Sequence, residues 1–266
     1  MSYPKNILIT SDDGYKSAAV RILTKTLKND FNLKIVGTKT QQSSVGAKLS
    51  AREGGEWGKD EIHGVEALWV DGTPCDGIEA AKVYFDNHEF DLVISGVNFG
   101  ANIGTTIVSG TVSAAIHALE IDIAKKAIAM SLDMSGNMSH LNHDKTFIEN
   151  FLDYPGKHAR DIIDYILKND FWGAEMINVN FPKSANGQMK FCKPFHKNYD
   201  FYSSKINLGD DGKFKYGRIA DKTLDYSNDY DAIALRDGFI TLTPFKRDNA
   251  NDAILGKLVG RVEDIL

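Results

Sequence analysis

Short apolar runs rich in β-branched residues alternate along this chain with stretches of helical period, and that alternation restricts the fold more than any other feature. Asn6-Ile7-Leu8-Ile9-Thr10 opens the pattern as a buried strand that breaks at Ser11-Asp12-Asp13-Gly14. Ala19, Val20, Leu23 and Leu27 follow at near-helical spacing, with Lys and Arg between them. Leu33 to Val36 is a second strand run. Strand–helix–strand is the unit of a parallel sheet, because parallel neighbours need a crossover between them. Further strands are predicted over 65–70, 90–95, 127–132, 175–181 and 239–243. Helices are predicted over 74–85, 111–120, 145–153, 157–168 and 250–262; the first starts on Thr73 as N-cap and Pro74 behind it. Residues 38–64, rich in Thr, Gln, Ser and Gly, read as a polar loop or an edge excursion long enough to be functional. Residues 183–231 read as hairpins and loops. The expected architecture is a three-layer, Rossmann-like α/β core with a mostly parallel sheet over 1–182. A C-terminal extension, 183–266, adds hairpins, a strand returning to the core and a closing helix.

Composition agrees with one well-filled α/β unit. The chain has 266 residues, 42% hydrophobic and 25% charged. A chain of this length buries roughly 70–75% of its unfolded surface, so it needs no disulfide or structural metal to hold it. The two cysteines, Cys75 and Cys192, form neither a disulfide framework nor a zinc cluster and read as buried or incidental thiols. The net charge of -5 lacks the basic excess of a duplex-DNA binder, so no nucleic-acid polymer is expected as partner. No run approaches the roughly 18 apolar residues of a membrane span, and Ile7–Thr10 is too short for a signal-peptide core. A soluble, cytoplasmic protein with no membrane partner is expected.

The sharpest chemical signal is Asp12-Asp13. Inside a strand two adjacent carboxylates point to opposite faces. At a strand end followed by Gly14 they can converge, and open α/β sheets bind ligands beyond the carboxyl ends of their strands. Such a pair repels and raises one pKa unless a cation neutralises it. A solvated Asp-Asp-Gly turn is the plainer alternative. The second signal is Ser95-Gly96-Val97-Asn98-Phe99-Gly100-Ala101-Asn102-Ile103-Gly104, where a buried strand runs into regularly spaced glycines and two asparagines. Glycines admit close backbone approach, and asparagine carbonyls are neutral ligands for hard cations. Ser109-Gly110-Thr111 then opens a helix whose free N–H groups suit phosphate. Other motifs fail. Gly96, Gly100 and Gly104 miss the dinucleotide G-x-G-x-x-G spacing, Gly46-Ala47-Lys48 lacks the upstream glycine of a P-loop, and Ser95 is in no G-x-S-x-G elbow. His140, His143 and Asp144 read as a surface stretch, and Asp210-Asp211-Gly212 as a hairpin turn.

Taken in order, these residues resemble the SurE family, the survival-protein nucleotidases. Its opening strand and N-D-D-G match Ile7 to Gly14, and its serine-bearing loop matches Leu33 to Ser43 without a gap. Its G-T-P-x-D matches Gly72 to Asp76, its S-G-I-N-x-G-x-N-x-G matches Ser95 to Gly104, and its S-G-T-V-x-A-A matches Ser109 to Ala115. Its L-N-V-N-x-P resembles Ile177 to Pro182, and its T-D…G-Y-[IV]-S-[IL]-T-P resembles Tyr230-Asp231 and Gly238 to Pro244. Departures surround the site: Ser11 for asparagine, Lys16-Ser17-Ala18-Ala19 for A-P-G-I, Thr38 and Ser44 for proline and glycine, and Thr105-Thr106 for an acidic pair.

The resemblance implies metal-dependent hydrolysis of nucleoside 5′-monophosphates, with 3′-monophosphates as a further option. Asp12, Asp13, Ser43 and Asn98 would hold one divalent ion per subunit, Mg²⁺ or Mn²⁺, with Asp12 and Asp13 also catalytic. Asn102, Ser109, Gly110 and Thr111 would bind the phosphate. It also implies a homodimer or homotetramer assembled through the C-terminal extension, with its strands and closing helix exchanged between subunits. A broader phosphatase acting on short-chain polyphosphate or other phosphomonoesters, and a nucleotide-binding regulatory module without catalysis, are the alternatives.

Overall fold

The computed structural model describes residues 6–86, 89–104, 106–134, 145–196, 204–218 and 226–247. The strands are β1 (Asn6–Ser11), β2 (Asn32–Thr38), β3 (Trp57–Ile62), β4 (Val65–Val70), β5 (Leu92–Phe99), β6 (Ala127–Leu132), β7 (Met176–Phe181), β8 (Met189–Phe191), β9 (Ser204–Leu208), β10 (Phe214–Arg218) and β11 (Ile240–Phe245). The helices are α1 (Ala18–Leu27), α2 (Pro74–Tyr84), α3 (Gly110–Glu120), α4 (Lys145–Phe151), α5 (His158–Lys168) and α6 (Asp231–Arg236). One sheet runs β3-β4-β2-β1-β5-β6-β7-β11-β8, with β9 and β10 apart as a two-stranded ribbon. From β4 to β7 all neighbours are parallel, and β3 and β11 enter antiparallel to β4 and β7.

Side chains alternate along each strand, so each buried strand feeds two cores. Ile7, Ile9, Ile35, Ile94, Ile128 and Ile177 pack under α1 and α5 through Val20, Leu23, Leu27, Ile162, Ile163 and Ile166. Leu8, Val36, Leu68, Val93, Ala127 and Ala129 pack under α2 and α3 through Ile78, Ala81, Val112, Ala115 and Leu119. The result is the three-layer α/β architecture expected. The chain winds from β1 through β2 to β4 on one side, returns to β5, and winds through β6 to β7 on the other. The direction therefore reverses between β1 and β5. The connections leaving these two paired strands run to opposite sides, which is where open α/β sheets form a ligand crevice beyond the carboxyl ends.

Several differences from the sequence expectation have clear causes. β3 forms inside the segment read as polar because it is an edge strand, paired on one side only, and it buries little beyond Ile62. β5 runs on to Phe99 rather than stopping at Ser95, because a bulge lets pairing with β6 resume at Asn98↔Ser131. α6 is too short to show a period. The helices expected over 145–153 and 157–168 are present, joined by an irregular turn over Leu152–Lys157 that contains Pro155. The Asp210-Asp211-Gly212 turn joins β9 to β10, closed by the Gly209 N–H on the Lys213 carbonyl at 2.8 Å. The closing helix expected over 250–262 and the His140, His143, Asp144 group lie outside the described residues. No helix among the described residues is long and apolar enough to cross a membrane.

Candidate active site

Strand β1 ends on the carboxylates. Gly14 adopts φ 103°, which a side chain would oppose, and the chain turns so that the Tyr15 N–H reaches the Thr38 carbonyl at 2.9 Å. Ser11 takes over turn capping, its Oγ accepting the Asp13 N–H at 3.1 Å. Asp12 is buried, and its Oδ1 accepts the Thr111 hydroxyl at 2.7 Å. Burial, and then the charge of Asp13, push the Asp12 carboxyl up to about 7, although the Thr111 hydroxyl and main-chain N–H pull the other way. Asp13 is half-buried; its carboxylate accepts the Gln41 amide at 3.0 Å and the Phe99 N–H at 3.5 Å.

The loop after β2 wraps onto that strand end. The Gln42 N–H donates to the Asp12 carbonyl at 2.7 Å, and the Thr38 hydroxyl to the same oxygen at 3.4 Å. Ser43 follows Gln42 directly and is exposed. Further on, the Gly46 N–H donates to the Val108 carbonyl at 3.0 Å, which ties this loop to the start of α3.

Asn98 reaches the site through the bulge in β5. In an unbroken strand it would share the face of Ile94, which packs under α1 and α5. The register shift between Ser95 and Asn98 puts Val97 into that core and turns Asn98 to the other face, opposite Ser131. Gly96 makes the bulge possible: it sits at φ 125°, and a Cβ there would lie 2.2 Å from the Met130 carbonyl oxygen. The Asn98 Nδ2 donates to the Gly100 carbonyl at 2.7 Å, which fixes the amide plane and leaves Oδ1 as its open acceptor.

The N-terminus of α3 closes the crevice from the third side. Ser109 caps it, Oγ accepting the Val112 N–H at 3.1 Å. Gly110 sits so close to Asp12 that a Cβ would lie 3.0 Å from that side chain. The hydroxyl of Thr111, one of the residues expected to face phosphate, donates to Asp12 and so orients the carboxylate.

Asn102 is held by residues to which motif reading gives no role. Its N–H donates to Asn180 Oδ1 at 2.8 Å and its Nδ2 to Ser131 Oγ at 2.9 Å. Its carbonyl accepts the amides of Asn178 at 2.7 Å and Asn180 at 2.9 Å. Two residues on, the Gly104 N–H donates to Asp231 Oδ2 at 2.7 Å, and Asp231 Oδ1 takes the N–H groups of Phe195 and Ala232. Burial raises the Asp231 carboxyl above the usual range, opposed by those N–H groups. A polar residue inside an otherwise apolar strand, as in Met176-Ile177-Asn178-Val179-Asn180-Phe181, is the signal that could have found the asparagines.

Asp12, Thr111 and Gly110 are thus in contact, Asp13 is bonded to the Phe99 N–H next to Asn98, and the loop carrying Ser43 is tied to Asp12 through the Gln42 N–H. Among the described residues no group of three or more His, Cys, Asp or Glu side chains could hold a metal, so any cation here relies on two carboxylates and neutral oxygens. The donor set fits one: two adjacent carboxylates, one of them buried, stand beside an asparagine whose Nδ2 is already engaged, which leaves its Oδ1 to accept or ligate. An all-oxygen set suits hard divalent ions. Cys75 and Cys192 take no part; both are buried, and burial pushes both thiols up to about 12.

Comparison with known proteins supplies an independent measure. The family model described as Survival protein SurE matches residues 7–201. The 5'-nucleotidase SurE of Campylobacter jejuni subsp. doylei is 32% identical over 255 residues, covering 92% of each chain. That of Archaeoglobus fulgidus is 30% identical over 246 residues, covering 91% of each. The crystal structure of the Sure protein from Aquifex aeolicus superposes with a TM-score of 0.71 at 23% identity, over 95% of this chain and 98% of that one, a likeness of fold.

Proposed function

The chain belongs to the SurE survival-protein family, and from that premise we propose that it is a metal-dependent 5′-nucleotidase that splits nucleoside 5′-monophosphates into nucleoside and phosphate. The observation that carries this reading is Asp12, buried beside Asp13 at the end of β1 and bonded to the first turn of α3. A carboxylate pair meets a helix N-terminus there, and a cation with a phosphate is what those two opposite fields would jointly accept.

Asp12, Asp13, Asn98 and Ser43 would hold one Mg²⁺ or Mn²⁺ per subunit. Such an ion supplies positive charge against the phosphoryl oxygens and makes water more acidic. The chain's own groups do the rest. Ser109 and the main-chain N–H of Gly110 would receive phosphate oxygens at the start of α3, and the loop around Asn102 would close over them. Thr111 keeps Asp12 oriented toward them. One of the two aspartates would take the proton from the attacking water.

Residues 183–266 would serve as an assembly extension in a homodimer or homotetramer. The β9–β10 ribbon supports this: it leaves Ile206, Leu208 and Phe214 48%, 81% and 61% exposed, and an isolated two-stranded ribbon is marginal alone. Light scattering tests it, and a monomer would refute it.

The activity is tested by phosphate release from a panel of nucleoside 5′- and 3′-monophosphates, a chromogenic phosphomonoester and short-chain polyphosphate, with and without each divalent ion. Asp12→Asn is expected to lower turnover by roughly 10³-fold or more while the fold remains. Near-normal turnover by a folded, metal-saturated variant would remove Asp12 from the site.

A further inference from the structure

Strand β7 carries two asparagines, Asn178 and Asn180, each with no exposed surface, between apolar neighbours that fill the cores. Two residues apart, they face the same side of the sheet, the α2–α3 side on which Ser131 also lies. A buried amide destabilises a fold unless its hydrogen-bonding groups are used. Asn180 uses both on one residue: its Oδ1 takes the Asn102 N–H at 2.8 Å, and its Nδ2 gives to the Asn102 carbonyl at 2.9 Å. Asn178 gives its Nδ2 to that same carbonyl at 2.7 Å, while its Oδ1 is buried with no hydrogen-bond partner. Valine or isoleucine would fill this part of the strand without an unmatched oxygen. The asparagines therefore serve the loop more than they serve the strand.

That loop connects the Asn98 end of β5 to the approach to α3. Gly100 and Gly104 both adopt positive φ, so its backbone has little stiffness of its own. Its shape is imposed from outside, at Asn102 by β7 and Ser131, and at Gly104 by Asp231. We propose that Asn178 and Asn180 are positioning residues, which act through the main chain of Asn102 to hold the 99–104 loop over the phosphate site. The inference rests on the nucleotidase reading for what the loop faces, and on the hydrogen bonds alone for what holds it.

The test uses Asn178→Val and Asn180→Val in the full chain, each also combined with Asn102→Ala. Valine suits a buried strand, so the melting temperature should stay within a few degrees of wild type. Hydrogen exchange of the 99–104 amides should accelerate at least tenfold while the β6 and β7 amides keep their protection. Activity toward a nucleoside monophosphate should fall by up to roughly 10²-fold, the scale of a small misplacement of a binding group. Inhibition by inorganic phosphate should weaken in parallel. Asn102→Ala keeps the main-chain N–H and carbonyl that Asn178 and Asn180 bind, so in that background the valine substitutions should still release the loop. Unchanged loop exchange would overturn the proposal, as would activity losses that only follow the melting temperature. If wild type releases phosphate from no substrate, the nucleotidase reading falls on its own and loop exchange still decides whether Asn178 and Asn180 hold the loop. Should Asn180→Val fail to fold, Asn180→Ser, too short to reach Asn102, takes its place in the same measurements.

Discussion

At the end of β1 two carboxylates hang from consecutive residues, placed by the local turn of Ser11 and Gly14, then bonded by the loop from the neighbouring strand and by Thr111. At the end of β5 the arrangement is neutral, and the tie points are distant. Asn102 is bonded to residues 76 and 78 positions away, and Gly104 to one 127 positions away. The first region concentrates charge and the second concentrates geometry. A carboxylate makes itself felt at ångström distances by its field, so one short motif suffices to install it. A backbone loop has no such reach and must be fitted by contacts from elsewhere in the fold.

The same substitution at both ends should therefore have unequal effects. Gly96→Ala puts a methyl group 2.2 Å from the Met130 carbonyl oxygen at φ 125°, so the backbone of β5 or β6 must move. A loss of about 3 kcal/mol or more is expected in denaturant unfolding, from clash and strain together. Gly14→Ala also meets a positive φ, 103°, but its nearest neighbour is the Thr38 carbonyl oxygen at 3.5 Å, an ordinary contact. Only backbone strain remains there, and about 1–2 kcal/mol is expected. Equal losses would mean that the bulge in β5 is no more constrained than a surface turn, and the contrast between the two ends would fail.

Legibility in the sequence follows the same division. β1, β4 and β6 can be read from their apolar runs, because strands covered on both faces need no partner information to be recognised. Asp12 and Asp13 can be read because a strand end with a following glycine is a local pattern. Asn98 is legible as a residue but not as part of a strand, since the bulge that extends β5 depends on the Met130 carbonyl across the sheet. Thr111 reads as a phosphate ligand by its motif, whereas its hydroxyl is drawn to Asp12, a residue 99 positions away. Asn178, Asn180 and Asp231 stand inside recognisable motifs without a role, because a buried polar side chain declares its purpose only through the atom it meets.

Acid titration offers the gentlest probe of the charged end. Asp12 carries a carboxyl raised from 3.8, its value in an unfolded chain, to about 7 in the fold. Between those values the folded protein holds a proton that the unfolded chain has released. Raising the pH through that window therefore weakens the fold, while below it both states are protonated and nothing is lost. Asp12→Asn cannot ionise, yet its side-chain oxygen can still accept the Thr111 hydroxyl. In the presence of a chelator the variant should match wild type near pH 4 and exceed it progressively up to pH 8. Each tenfold change in proton affinity corresponds to about 1.4 kcal/mol, so a shift from 3.8 to about 7 sets an upper bound of about 4 kcal/mol, and solvent penetration around the ionised group should hold the observed gain below that. A divalent ion should reverse the order at pH 8, because it stabilises the ionised pair and finds only half of that pair in the variant. A difference between the two proteins that stays flat from pH 4 to pH 8 would mean that the end of β1 carries no electrostatic strain. The contrast with β5 would then rest on geometry alone.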